Sequence, residues 1–239
     1  MTTRSALLLN CPGDGTSFLR GVATDIEAYE KFLLSDCGGH WYKNEIAIIT
    51  SPTKTALLNK LASEKTKDIL YLFFCGHGYY AKPSNQQILC LARNEEIEAG
   101  SLLSYGKRTV LVTDSCQEIV MEAFAEARVF RQDVNKYDSQ PKNRQRFDSM
   151  IDNLPINATY HAKSCDINEL AGEDRNGGIF SQTLIEECRT RASNRQDFTL
   201  CTDFQRVEQS VARKTGGRQN PQLTHPRSSS AMSFVFGMK

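Results

Sequence analysis

Ile69–Tyr80, ILYLFFCGHGYY, and Thr109–Cys116, TVLVTDSC, are apolar runs of strand length that stop abruptly on polar chemistry. The first closes on Cys75-Gly76-His77-Gly78 and the second on Asp114-Ser115-Cys116. Continuous apolar runs, as opposed to alternating ones, suit strands covered on both faces of a parallel sheet. In such sheets the functional groups gather beyond the carboxyl ends of the strands. If the two strands are neighbours, His77 and Cys116 face each other at one rim.

Upstream, Ser5–Asn10 reads as a strand that ends in the turn residues Cys11-Pro12-Gly13-Asp14-Gly15. From Phe18, the residues Leu19, Val22, Ile26, Tyr29 and Leu33 recur at spacings of 3, 4, 3 and 4, one buried helical face that Gly38-Gly39 closes. Glu45–Thr50 is a second strand, Ser51-Pro52-Thr53 supplies cap chemistry for a helix through Thr66, and Asp68–Phe74 is the third strand. This βαβαβ order predicts an α/β fold with a parallel, doubly wound sheet. Between the two deciding runs come a short strand near Ile88–Ala92 and a short helix around Ile97–Tyr105. After Cys116, a helix is expected to begin within Glu118–Phe130. Arg128–Arg146, with six Lys or Arg against two Asp, then reads as an exposed linker open to proteases. A smaller block follows: a strand over Asn157–Ser164, helices over Gly178–Cys188 and Phe204–Lys214, and a last strand over Met232–Phe236.

At 239 residues and 40% hydrophobic composition, the chain can form one large domain with a sizeable core. A formal charge of +1 gives no overall field that would draw it to nucleic acid or a membrane. Arg213, Lys214, Arg218 and Arg227 are few and mixed with polar residues, so they read as solvated surface. The opening MTTRSALLLN is too short in apolar residues for a signal peptide, and no run approaches transmembrane length. Cysteines at 11, 37, 75, 90, 116, 165, 188 and 201 never fall at CxxC spacing, and several lie in apolar runs. Free thiols in a reducing, cytoplasmic setting are expected. No glycine-rich phosphate loop follows a strand, which disfavours a nucleotide-binding domain.

A thiol becomes a good nucleophile when a neighbouring imidazole takes its proton, and two adjacent strand ends can bring such a pair together. Gly76 and Gly78 beside His77 let the backbone pass close to a substrate. The N–H groups of Gly78 and Cys116 are suitable oxyanion donors. The alternative is a core histidine and one more buried cysteine. Two reactive groups placed at the ends of two apolar strands favour a site.

With FFCGHG as a histidine box and TDSC as a nucleophile box, the chain resembles the caspase-like cysteine peptidases, most closely their metacaspase and bacterial caspase-homologue branch. Gly178–Leu184, GIFSQTL, is similar to the family's small-subunit helix, and Asn220-Pro221-Gln222-Leu223 to a metacaspase pattern. The resemblance implies a three-layer sandwich with a mostly parallel sheet of about six strands. Its blocks would be 1–127 (large-subunit-like), 128–155 (an activation linker) and 156–239 (small-subunit-like). It implies hydrolysis of peptide bonds in protein or peptide substrates, with Cys116 as nucleophile and His77 as general acid/base.

The resemblance also places Asp114, two residues before the nucleophile, and Asp25, within Leu19–Asp25, in the specificity pocket, with Cys75 at a further pocket position. Two confined carboxylates favour a substrate Arg or Lys. The alternative has Asp25 facing solvent and Asp114 capping a turn. Many metacaspases hold calcium on an Asp-rich segment after the histidine box, yet Tyr79–Arg93 contains no Asp or Glu, so no metal is assigned and calcium dependence is doubtful. Asp166, Glu169, Glu173 and Asp174 read as a solvated acidic loop near the groove. Self-cleavage, or cutting by an activating protease, is expected at Arg128, Arg131, Lys136, Lys142, Arg144 or Arg146. A caspase-like scaffold that regulates other proteins without cutting is the competing reading. Whether the chain works alone would follow from the last strand lying at an edge or an interface.

Overall fold

The computed structural model describes residues 2–119, 142–174 and 176–239. In chain order its first half holds β1 (Arg4–Cys11), α1 (Gly21–Leu34), β2 (Ile46–Thr50), α2 (Lys54–Ser63), β3 (Ile69–Gly76), β4 (Gly78–Ala81), β5 (Gln86–Cys90), β6 (Glu96–Glu98) and β7 (Thr109–Asp114). The second half holds α3 (Lys142–Asp152), β8 (Thr159–Lys163), β9 (Glu173–Asp174), β10 (Gly177–Gly178), α4 (Ile179–Ser193), β11 (Phe198–Thr199), α5 (Leu200–Thr215), β12 (Gln222–Thr224), α6 (Ser229–Met232) and β13 (Val235–Gly237).

The central sheet has six strands in the order β12-β8-β7-β3-β1-β2, parallel except for the antiparallel edge strand β12. Both faces of β3 are buried, which is why its sequence shows no polar alternation. Tyr71, Phe73 and Cys75 point to a layer built from α1, α3, α4 and α5, with Ile26, Tyr29, Phe147, Phe180, Leu184 and Val207 in contact. Leu70, Leu72 and Phe74 point the other way, onto Leu57 and Leu61 of α2 and onto Leu89, Ile97 and Leu102. Each fully buried side chain of this size contributes about 1.5–3 kcal/mol. Two helical or mixed layers around one sheet give the expected three-layer α/β sandwich.

The expected linker is shorter than its composition suggests, because Lys142–Asp152 forms α3. Phe147 and Ile151, four residues apart, are buried on one face of this helix. Arg144 is buried and binds Glu45 through two nitrogens, at 2.8 and 2.6 Å, with its guanidinium 3.7 Å from the Tyr42 ring centroid. Arg146 pairs with Asp197. The structure therefore corrects Arg144 and Arg146 as activation sites: they are helical, paired and packed. The bond after Lys142 also lies inside the helix. Arg128, Arg131 and Lys136, and the expected helix from residue 120 onward, fall outside the described residues.

The last strand is also displaced. Met232 ends α6, and β13 pairs antiparallel with β11, outside the central sheet. Phe234 and Phe236 are buried against Tyr71, so this segment covers the core and does not lie at an edge of the central sheet. Among the described residues, no helix is long and apolar enough to cross a membrane.

Candidate active site

β3 and β7 are parallel neighbours, with Cys75 opposite Asp114. His77 and Cys116 follow these paired residues at the same end of the sheet, and both line one cavity of about 100 Å³. The rim is tightly packed: a β-carbon on Gly76 would come 2.1 Å from the Cys11 carbonyl oxygen. Gly13 has a φ of +74° in the turn after β1, and a β-carbon there would sit 2.6 Å from the His77 ring. This turn brings the Ser17 carbonyl to His77 Nε2. A carbonyl only accepts, so Nε2 carries the proton, and in the neutral ring Nδ1 remains to take one from a thiol.

The nucleophile loop is held through its residue 115. Ser115 N–H donates to Ser164 Oγ at 3.1 Å, and Ser164 Oγ donates back to the Ser115 carbonyl at 3.0 Å. Gln87 Nε2 donates to Ser115 Oγ at 3.1 Å. Two residues further on, Gln117 N–H donates to the Glu169 carbonyl and Asn168 N–H to the Gln117 carbonyl. Burial pushes the Cys116 thiol above its ordinary value, the Ala171 N–H pulls it down, and the Asp114 charge raises it further.

Behind the thiol lie the two carboxylates. Asp25 and Asp114 are buried, and both line the cavity. The Gly178 N–H donates to both oxygens of Asp25, each at 2.9 Å. Asp114 Oδ2 accepts from Ser181 N–H at 3.1 Å and from Ser181 Oγ at 2.6 Å, in the first turn of α4, where the helix dipole favours negative charge. Gly178 is wedged between them: a β-carbon there would lie 2.2 Å from Asp114 Oδ2 and 3.1 Å from Asp25 Oδ2. A β-carbon on Gly177, which has a φ of +117°, would lie 2.3 Å from Asp25 Oδ1. Burial raises both carboxyls, and each feels other negative charge as well: Asp25 that of Asp114, and Asp114 that of Glu173. Among the described residues, no Lys or Arg forms an ion pair with either.

The other expected residues separate. Cys75 is 1% exposed and packed in the core beneath the cavity, near Ser181, so it does not line the pocket. Strand alternation puts it on the same face as Tyr71 and Phe73. Gly78 opens β4 against Ser115 and is not part of the cavity lining. Of the acidic loop, Glu173 reaches the cavity mouth, whereas the Glu169 carboxylate accepts from Asn220 and from the Asp166 N–H and so ties the loop together. Among the described residues, no group of three or more His, Cys, Asp or Glu is placed to hold a metal ion. Ser17, Ser164, Gly177 and Ser181 were not foreseen. Ser17 acts through a main-chain carbonyl, which leaves no side-chain signature, but the Gly177-Gly178 pair before a helix was a usable signal of close approach.

The Peptidase_C14 caspase domain matches residues 3–231. No curated protein matches the chain. Among solved structures, protein GSU0716 from Geobacter sulfurreducens is similar over 99% of this chain and 100% of its own, at 14% identity and a TM-score of 0.60. Caspase-1 from Spodoptera frugiperda is similar over 93% of this chain and 86% of its own, at 14% identity and a TM-score of 0.62.

Proposed function

The chain belongs to the caspase-domain family of cysteine peptidases, and from that premise we propose that it is an endopeptidase cutting after Arg or Lys. One observation carries this reading: His77, Cys116 and two buried carboxylates, with no ion-paired Lys or Arg among the described residues, share a single cavity. A substrate guanidinium or ammonium entering between Asp25 and Asp114 would place the following carbonyl carbon at the thiol. His77 takes the Cys116 proton as sulfur attacks, and a tetrahedral oxyanion forms, held by the Cys116 N–H. The imidazolium then protonates the leaving amine, and an acyl-enzyme remains. His77 next removes a proton from water, which attacks the thioester, and the thiol is restored. Burial disfavours a free thiolate, so deprotonation accompanies attack in this scheme.

The test is a peptide panel differing only in Arg, Lys, Asp or Leu before the cut bond, with and without calcium. Arg or Lys is expected to exceed Leu by about a hundredfold in kcat/KM, the scale of a buried charge pair made or left unmade. Cys116→Ala should abolish turnover. A preference for Asp would overturn the pocket assignment. Calcium independence is expected, because Tyr79–Arg93 lacks carboxylates. Regulation by an activating protease or by self-cleavage would act at Arg128, Arg131 or Lys136.

The raised Cys116 thiol favours a second reading, a caspase-like scaffold that binds and regulates other proteins without cutting. Failure of a labelled arginine-directed electrophile to modify Cys116, while the protein still binds basic peptides, would select it.

A further inference from the structure

The cavity contains more negative charge than its own hydrogen bonds can stabilise. Asp25 receives one N–H shared between its two oxygens, and Asp114 receives the N–H and hydroxyl of Ser181 and is reached by the Ser164 hydroxyl. All these donors are neutral. Among the described residues, the side chains facing the pair are Tyr29 from α1, Cys75 from β3, and Glu173 and Asp174 from β9, none of them a cation, with His77 and Cys116 across the cavity. Two carboxylates that one β-carbon on Gly178 would touch at 2.2 and 3.1 Å are too close to be ionised together in a buried site without a counter-ion.

We propose that the substrate-free protein holds one proton between Asp25 and Asp114, and that an incoming guanidinium or ammonium displaces it to solvent. Loading the cavity thereby becomes an exchange of one cation for another. This rests on the basic-residue reading above and adds a proton count to it. The direction of both carboxyl shifts, upward through burial and like charge, agrees with the exchange. Affinity for a basic peptide then rises with pH while the pair is titrating, by up to about tenfold per pH unit, and levels off once both carboxylates are ionised.

The experiment uses full-length Cys116→Ala protein, so that nothing is cut, and a capped peptide ending in Arg-amide whose only ionisable group is the guanidinium. Calorimetry at pH 7 in phosphate and in Tris, buffers with different heats of ionisation, counts the protons. Release of about one proton per peptide is expected, with affinity falling about tenfold from pH 7 to pH 6. A matched norleucine peptide should release almost none, and adding Asp25→Asn should flatten the pH slope for the Arg peptide.

Tight binding of the Arg peptide with no proton release and equal affinity at pH 6 and pH 8 would overturn the exchange and leave the Arg specificity intact. Equal release by the norleucine peptide would also overturn it, since the proton would then come from His77 or elsewhere. Absence of binding by Arg and Lys peptides at every pH from 6 to 9 would remove both the specificity and the exchange.

Discussion

Asp25 illustrates how a buried carboxylate can weaken the fold that carries it. Burial and the neighbouring Asp114 raise its folded-state pKa above the unfolded value near 4. For an acid shifted in this direction the folded state is penalised above that unfolded value. The penalty grows as pH rises through the folded pKa, is complete beyond it, and vanishes in acid. Asp25→Asn keeps an oxygen for the Gly178 N–H and removes the charge, so it should raise Tm by on the order of 4 °C at pH 8 and by almost nothing near pH 4. Thermal unfolding at the two pH values checks this; a lower Tm at pH 8 would mean that the folded protein stabilises an ionised Asp25. Asp25 was legible in the sequence through its place in a family-like segment, and His77 and Cys116 through the abrupt end of two apolar runs. Cys75 misled because pocket membership was inferred from position along the chain, whereas strand parity sends its side chain into the core.

The central elements were readable where burial imposes one pattern. β1, β3 and β7 are buried on both faces and so each holds an unbroken apolar run, Ala6–Leu9, Ile69–Phe74 and Val110–Val112, and α1 shows its single core face as a 3-4 periodicity. α3 was hidden because its apolar contacts, Phe147 and Ile151, follow a basic stretch whose charges are neutralised by distant partners, Glu45 and Asp197. β12 was missed because three residues on a polar edge carry no period. Two elements also decide the site. At the start of α4, Gly178→Ala would put a methyl 2.2 Å from Asp114 Oδ2, so the carboxylates must separate. The Arg-over-Leu ratio in kcat/KM should then fall by at least about tenfold, with stability lowered by on the order of 2 kcal/mol. An unchanged ratio would place the specificity elsewhere. At the end of β8, Ser164→Ala leaves the buried Ser115 N–H without its partner, a cost of about 1–3 kcal/mol. Because Ser164 holds the nucleophile loop as well as touching Asp114, kcat should drop about tenfold, with any rise in KM smaller than that. A rise in KM alone would assign Ser164 to binding.

At the scale of the molecule, the stretches before residue 120 and after residue 141 are not two bodies. β8 from the second pairs with β7 from the first, and residues of both halves fill one core around Tyr71 and Phe73. Arg4, in the first strand, is 2% exposed and binds α3: its Nε donates to Asp148 at 2.8 Å and its Nη2 to the Arg144 carbonyl at 2.8 Å. Its guanidinium lies 4.7 Å from the centroid of Phe147 and 5.3 Å from that of Trp41. A break in the chain between residues 120 and 141 therefore removes no contact among the described residues. A recognition sequence for a site-specific protease placed within 120–141 and then cut should give two fragments that co-elute on gel filtration and separate only in denaturant. Arg4→Met strands Asp148 and two carbonyls, and should lower the denaturant midpoint of the nicked protein by an amount equal to about 2–3 kcal/mol, while the nicked native protein stays together. Fragments that part in plain buffer would show that the halves depend on chain connection and not on the shared core.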